Sequence, residues 1–138
     1  MTKAKTAKVA LDADIILTAD QVAFFWNCVI KWKAVLGLQS WRITHRTVDR
    51  GRFLALTDQW DARQRQVRIT LCLTWSPRSV PTETTLEQTA VHELLHVVLH
   101  RLLEVASDRG APQGDQDFEE HGVINMLENT LLSGGDGL

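Results

Sequence analysis

Thr84-Thr85-Leu86-Glu87-Gln88-Thr89-Ala90-Val91-His92-Glu93-Leu94-Leu95-His96-Val97-Val98-Leu99-His100 is the stretch on which the fold turns. Thr84 and Glu87 have the spacing of a capping box, and apolar residues then run from Ala90 to Val105, so the pattern predicts a helix beginning near Thr84. Val91, Leu94, Leu95, Val97, Val98, Leu99, Leu102 and Leu103 make it apolar on nearly every side, which is the composition of a helix enclosed by other elements. Two histidines and a glutamate are costly in such a setting unless something partners them.

His92 and His96 stand four residues apart and therefore share a face, so both imidazoles can address one point. Zinc accepts neutral imidazole nitrogen at about 2.0–2.1 Å, and catalytic sites hold it with three protein ligands and leave the fourth position to water. Glu93 projects beside that point, where a carboxylate can take a proton from the water and later deliver it to a leaving amine. With five histidines in the chain, this HExxH spacing arises by chance on the order of one time in a hundred. The bland alternative is that the three are ordinary polar residues on an exposed edge of the helix.

A third ligand is required, and a later helix offers Asp117, Glu119, Glu120 and His121. At about 100° per residue, Glu120 falls near the middle of the stripe formed by Val123, Ile124, Leu127 and Leu131, Glu119 lies at its edge and His121 well to one side. Glu120 is the favoured ligand, Glu119 the next, and His121 or Asp117 the remainder. Asp117 and Glu120 also fit a capping pair, in which Glu120 only serves its own backbone. His100 lies one turn beyond the pair, too far for the same metal. His45 reads as a strand residue. Arg50, Arg52, Arg63, Arg65 and Arg68 make a basic hairpin region, read as a solvated sheet face in preference to a phosphate contact.

Outward from the motif helix, the first half predicts one helix and three strands. Asp20 is a suitable N-cap for a helix over Gln21 to Leu36, with Val22, Phe25, Trp26, Val29 and Leu36 on one stripe and Gly37 as the stop. Trp41 to Val48, Arg52 to Trp60 and Gln66 to Trp75 have strand character. Asp49-Arg50-Gly51 suits a hairpin turn and Asp61 to Arg65 a looser one, which together predict an antiparallel meander. Ser76-Pro77 and Pro81 mark the exit from the sheet. After a loop over Ser107 to Gly114, Asp115 to Leu132 returns to helical spacing, and Ser133-Gly134-Gly135 ends it.

The whole is an α+β chain of 138 residues, 44% hydrophobic, long enough for one domain over 1–138, with flexible tails expected at 1–18 and 133–138. A net charge of −2 provides no general attraction to nucleic acid or anionic membrane. The lysine-rich start leads into no signal-peptide core, and no charge-free apolar run is long enough to span a bilayer, so a cytoplasmic protein is expected. Cys28 and Cys72 sit in apolar segments, as reduced buried cysteines do.

Thr89-Ala90-Val91-His92-Glu93-Leu94-Leu95-His96, followed by Glu119-Glu120-His121-Gly122-Val123-Ile124, resembles the minimal zincin-type metallopeptidases of phages and bacteria, of which the SprT-like and ImmA/IrrE-type groups are the nearest. The resemblance rests on motif in the C-terminal half and on element order alone in the N-terminal half. It implies a zincin-like domain with Zn2+ held by His92, His96 and Glu120, Glu93 as general base, and a peptide or protein substrate laid along a sheet edge. Leu99 stands where the metzincin extension of the motif needs glycine. The chain has no tyrosine, so no tyrosine hydroxyl supports the transition state. Two other readings follow from the same residues: a metal-binding regulatory or interaction module with little turnover, and a DNA-associated protein in which zinc is structural.

Overall fold

Gln66–Cys72 is the strand around which the sheet forms, because Val67, Ile69, Thr70, Leu71 and Cys72 are all buried. A strand buried on both faces takes the centre of a sheet and leaves the edges to its more polar neighbours. The computed structural model describes residues 13–108 and 113–137, with the backbone alone for 101–102, 104–108, 113–119 and 133–137. In chain order its elements are β1 (Ile15–Ile16), α1 (Ala19–Val35), β2 (Arg42–Val48), β3 (Ala55–Asp61), β4 (Gln66–Cys72), β5 (Thr74–Trp75), α2 (Glu83–Asp108) and α3 (Gln113–Gly137).

The class is α+β, but the sheet is not the antiparallel meander expected from the short connections. Its order is β2-β4-β3, with β2 parallel to β4 and β3 antiparallel to it. A meander would have placed β3 in the middle, with its exposed Gln59 and a register shift between Asp58 and Asp61. Residues 49–54 therefore do not close a hairpin. They carry the chain across the end of β4, where Val48 accepts from the Leu73 amide and Leu54 from the Cys72 amide. Gly51 sits close to Phe53 on this crossing, and a Cβ there would come within 3.1 Å of the ring. The looser β3–β4 turn does form, with Arg65 in a left-handed conformation at φ 52°.

The helix caps also differ in detail from the expected ones. Thr18, not Asp20, caps α1: its hydroxyl accepts the Gln21 amide at 3.1 Å, and the Gln21 side chain returns a bond to the Thr18 amide at 2.9 Å. Gly37, at φ 73°, ends α1 as expected, with Leu38 bonding back to Lys33 and Gly37 to Ala34. Thr82, not Thr84, caps α2 by accepting the Thr85 amide at 3.1 Å. Glu87, the expected partner in that box, instead accepts from Trp32 Nε1 at 2.9 Å and Lys31 Nζ at 3.1 Å, because α1 lies against α2. α2 extends to Asp108, beyond the expected start of the loop, and α3 continues through Gly134 and Gly135 to Gly137. Glycine weakens a helix without removing a backbone donor, so it need not stop one. Residues 1–12 lie outside the described part, while Ile15 and Ile16 pair with Trp75 and Thr74.

Two apolar clusters meet along α2. Leu86, Ala90, Leu94 and Val97 join α1 and the sheet through Phe25, Val29, Ile69, Leu71 and Trp75. Val91 and Leu95 pack instead against Ile124 of α3, with Leu99, Leu127 and Leu131 around them. Each fully buried side chain of this size contributes about 1.5–3 kcal/mol, so both flanks of α2 are firmly held. Among the described residues, no helix is long and apolar enough to cross a membrane.

Candidate metal centre

His92 and His96 follow Val91 and Leu95 by one position each, so the contact that buries those two residues against α3 also turns both imidazoles towards α3. There they meet His121, and one ring nitrogen from each of the three histidines lies within 4.8 Å of the others. The ring centroids are 5.2 Å apart for His92 and His96, 5.9 Å for His92 and His121, and 5.2 Å for His96 and His121. A tetrahedral zinc with about 2.0 Å bonds needs its nitrogens about 3.4 Å apart. Small side-chain rotations would close that gap.

Two carboxylates of α3 also reach these rings. Glu120 Oε1 lies 2.7 Å from His96 Nδ1, and Glu128 Oε2 lies 3.2 Å from His92 Nδ1. An ionised carboxylate can only accept, so a neutral ring held against it has its proton on Nδ1 and its lone pair on Nε2. That is the tautomer a metal requires, and a carboxylate behind the ring is the usual device that fixes it. Neutral imidazoles held in this way fit a divalent cation of the zinc type. Glu120 thus contacts the ring of His96, and the gathered group of ligand atoms is completed by His121, which periodicity had set to one side. The side chains of Asp117 and Glu119 lie outside the described part.

Glu128 was missed in reading the sequence, although it carried the same signal as Glu120. It stands four residues after Ile124 and next to Leu127 on the apolar stripe, and an acid there needs a partner. The partners pair in reverse order, Glu128 with the earlier histidine and Glu120 with the later one, as two helices running in opposite directions demand.

Glu93 lies on the β3 flank of the same helical turn and lines one cleft with His92 and Glu128. It is 6% exposed, and the Thr57 hydroxyl lies 2.9 Å from its Oε1 and 3.3 Å from its backbone carbonyl. Burial pushes the carboxyl up to about 7, the negative charges of Glu120 and Glu128 add to the rise, and the Thr57 hydrogen bonds oppose it. Burial likewise lowers the affinity of His96 for a second proton, against the pull of Glu120. Beside Glu93 and His92 opens a cleft of about 390 Å³, walled by Leu54 and Ala55 from the β3 side, Gln88 and Thr89 from α2, and Asn125 from α3.

The other candidates lie elsewhere. His100 stacks face to face on Trp60 at 3.9 Å, with Trp41 edge-on at 6.5 Å, and does not join the three histidines. His45 stacks on Trp26 at 4.2 Å, and burial lowers its pKa. Arg68 forms two hydrogen bonds with Asp58 across the β3–β4 pair, at 3.0 and 2.9 Å, and Arg50 pairs with Asp14 at 3.3 Å. Cys28 and Cys72 are free and buried, and burial foremost pushes the Cys28 thiol up to about 11. Comparison with protein-family models, with curated proteins and with solved structures finds no match to this chain.

Proposed function

We propose that this chain is a small zinc-dependent metallopeptidase of the zincin type, with His92, His96 and His121 as ligands and Glu93 as general base. The observation that carries the reading is the joint arrangement on one helical turn: two imidazoles aimed at a third, each backed by a carboxylate, with a buried glutamate next to them. Structural zinc sites are closed by four protein ligands, whereas three histidines leave a position for reaction. Glu120 and Glu128 act on the rings of His96 and His92, holding them in the metal-binding tautomer.

Zinc bound there supplies Lewis acidity towards a water molecule and a peptide carbonyl. Glu93 takes up a proton at its carboxylate, a task for which a pKa of about 7 is well matched near neutral pH. It then passes that proton to the departing amine. Thr57 holds Oε1 of Glu93, and Oε2 is the oxygen left to take up the proton. The 390 Å³ cleft receives a substrate side chain. β3 is an edge strand of its sheet, so its unpaired backbone groups offer hydrogen bonds to an extended peptide.

The test is zinc content together with hydrolysis of a mixed peptide library by native and Glu93→Gln protein. The proposal expects about one zinc per chain in both and a turnover loss of about 10²–10⁴-fold in the variant. Equal turnover in the two proteins, or no bound metal in the native one, would contradict it.

A further inference from the structure

A second cleft, of about 510 Å³, opens where the end of α1, the start of β2, the β3–β4 hairpin and α2 meet. That is the size of a ligand site, within the usual range of about 300–1,000 Å³. Its floor is aliphatic: Leu36, Leu38, Val97 and Val98. Val98 is 40% exposed, so this floor is open to solvent. Its rim carries Arg63 and Arg65, and no aspartate or glutamate is among its described lining residues.

Arg65 is held in place from several directions. Its Nη1 donates to Ser40 Oγ at 2.8 Å, its amide bonds to Ala62 at 3.3 Å, and its carbonyl accepts from Arg42 at 2.8 Å. Its backbone is left-handed, a conformation that a long side chain adopts only when the surroundings impose it. The Trp60–His100 stack, with Trp41 edge-on to both rings, stiffens the adjoining wall.

We propose that this cleft anchors an acidic segment of the peptide substrate, an apolar side chain on the floor and a carboxylate against Arg63 and Arg65. The binding is argued from the cleft; that its occupant is the substrate rests on the peptidase reading above. Guanidinium groups pair with carboxylates through two parallel hydrogen bonds, and an aliphatic floor suits a leucine-like neighbour. Nucleic acid is a poorer match, since it needs cations along a track and open aromatic faces for its bases. The distance is also informative. His100 lies seven residues beyond Glu93 on α2, about 10 Å at 1.5 Å per residue, which an extended peptide covers in about three residues. With the peptide lying along α2, the cleft begins about three residues from the bond that is cut.

Binding is measured by fluorescence anisotropy on the metal-free protein, with a labelled octapeptide containing Glu-Leu-Asp and the same peptide with both acids replaced by lysine. The acidic peptide binds at least tenfold more tightly, and Arg63→Glu, on the exposed rim, removes that preference. Arg65→Asn, which tolerates the left-handed backbone, weakens it in the same direction. Equal binding of the two peptides, indifference to both arginine variants, or tighter binding of a single-stranded oligonucleotide through the same arginines would overturn the proposal. The assay contains no zinc and no turnover, so a failed peptidase reading leaves its result unaffected.

Discussion

One turn of α2 faces two different environments, and the contrast explains how a single helix can hold a buried acid on one flank and partnered imidazoles on the other. On the sheet side, Glu93 is buried beside Leu94 and Val97, with one hydroxyl from Thr57 as its neutral partner. On the α3 side, His92 and His96 meet two carboxylates and a third imidazole. Dehydration raises the pKa of the acid on the first flank, and the carboxylates orient the bases on the second. Neighbouring positions on one helix thus acquire separate roles from what packs against them.

The largest effect that would separate the flanks comes from adjacent leucines. Leu94→Ala and Leu95→Ala should each cost about 2–5 kcal/mol of stability, as buried leucines do. Their functional signatures differ, because Leu95 packs against α3 and Leu94 against the sheet. Zinc affinity should fall in Leu95→Ala and hold in Leu94→Ala, as competition with a chelator would reveal. Identical losses in both would mean that the flanks are not independent.

Glu93 makes the sheet flank sensitive to pH in the metal-free protein. Its folded value of about 7 lies above the ordinary 4.5, so between these values the folded chain holds a proton that the unfolded chain has released. The stabilising contribution is therefore present at low pH, declines as pH rises, and is gone above about pH 7. The difference is on the order of 3 kcal/mol for a shift of this size. His96, lowered by burial, works in the opposite sense below its ordinary value of 6.5. Thermal unfolding of metal-free native and Glu93→Gln protein from pH 5 to 8 isolates the Glu93 contribution. The native protein should lose stability relative to the variant as pH rises, and parallel curves would refute the assignment.

The smallest effect concerns Thr57. Thr57→Val removes the hydroxyl that holds Glu93, and should lower kcat by about tenfold, equivalent to about 1.4 kcal/mol. KM and zinc content should stay unchanged, and Thr57→Ser should restore most of the rate. A change confined to KM would place Thr57 in substrate binding instead.

What could be read from the sequence follows the range of the interactions involved. The motif helix was legible because His92, Glu93 and His96 are set by spacing within one element. The third histidine was not, since the stripe of α3 ranks Glu120 above His121 until the crossing with α2 is known. Once His96 occupies the space in front of Glu120, that carboxylate meets an Nδ1, and His121 approaches from the side. The order of the strands failed for a similar reason. Short connections favour a meander, but Thr70 and Cys72 on the second face of β4 are buried as well, which gives that strand the central place. At the start of α2, Thr82, Thr84 and Thr85 compete as caps, and Trp32 and Lys31 draw Glu87 away from the box that would have favoured Thr84.

The three-histidine centre is tested most directly by zinc titration of native, His121→Ala and Glu120→Gln proteins. The account predicts one tight site in the native chain, its loss in His121→Ala, and in Glu120→Gln a retained site weakened by about 10–100-fold. Abolition of binding in Glu120→Gln, with binding retained in His121→Ala, would contradict it.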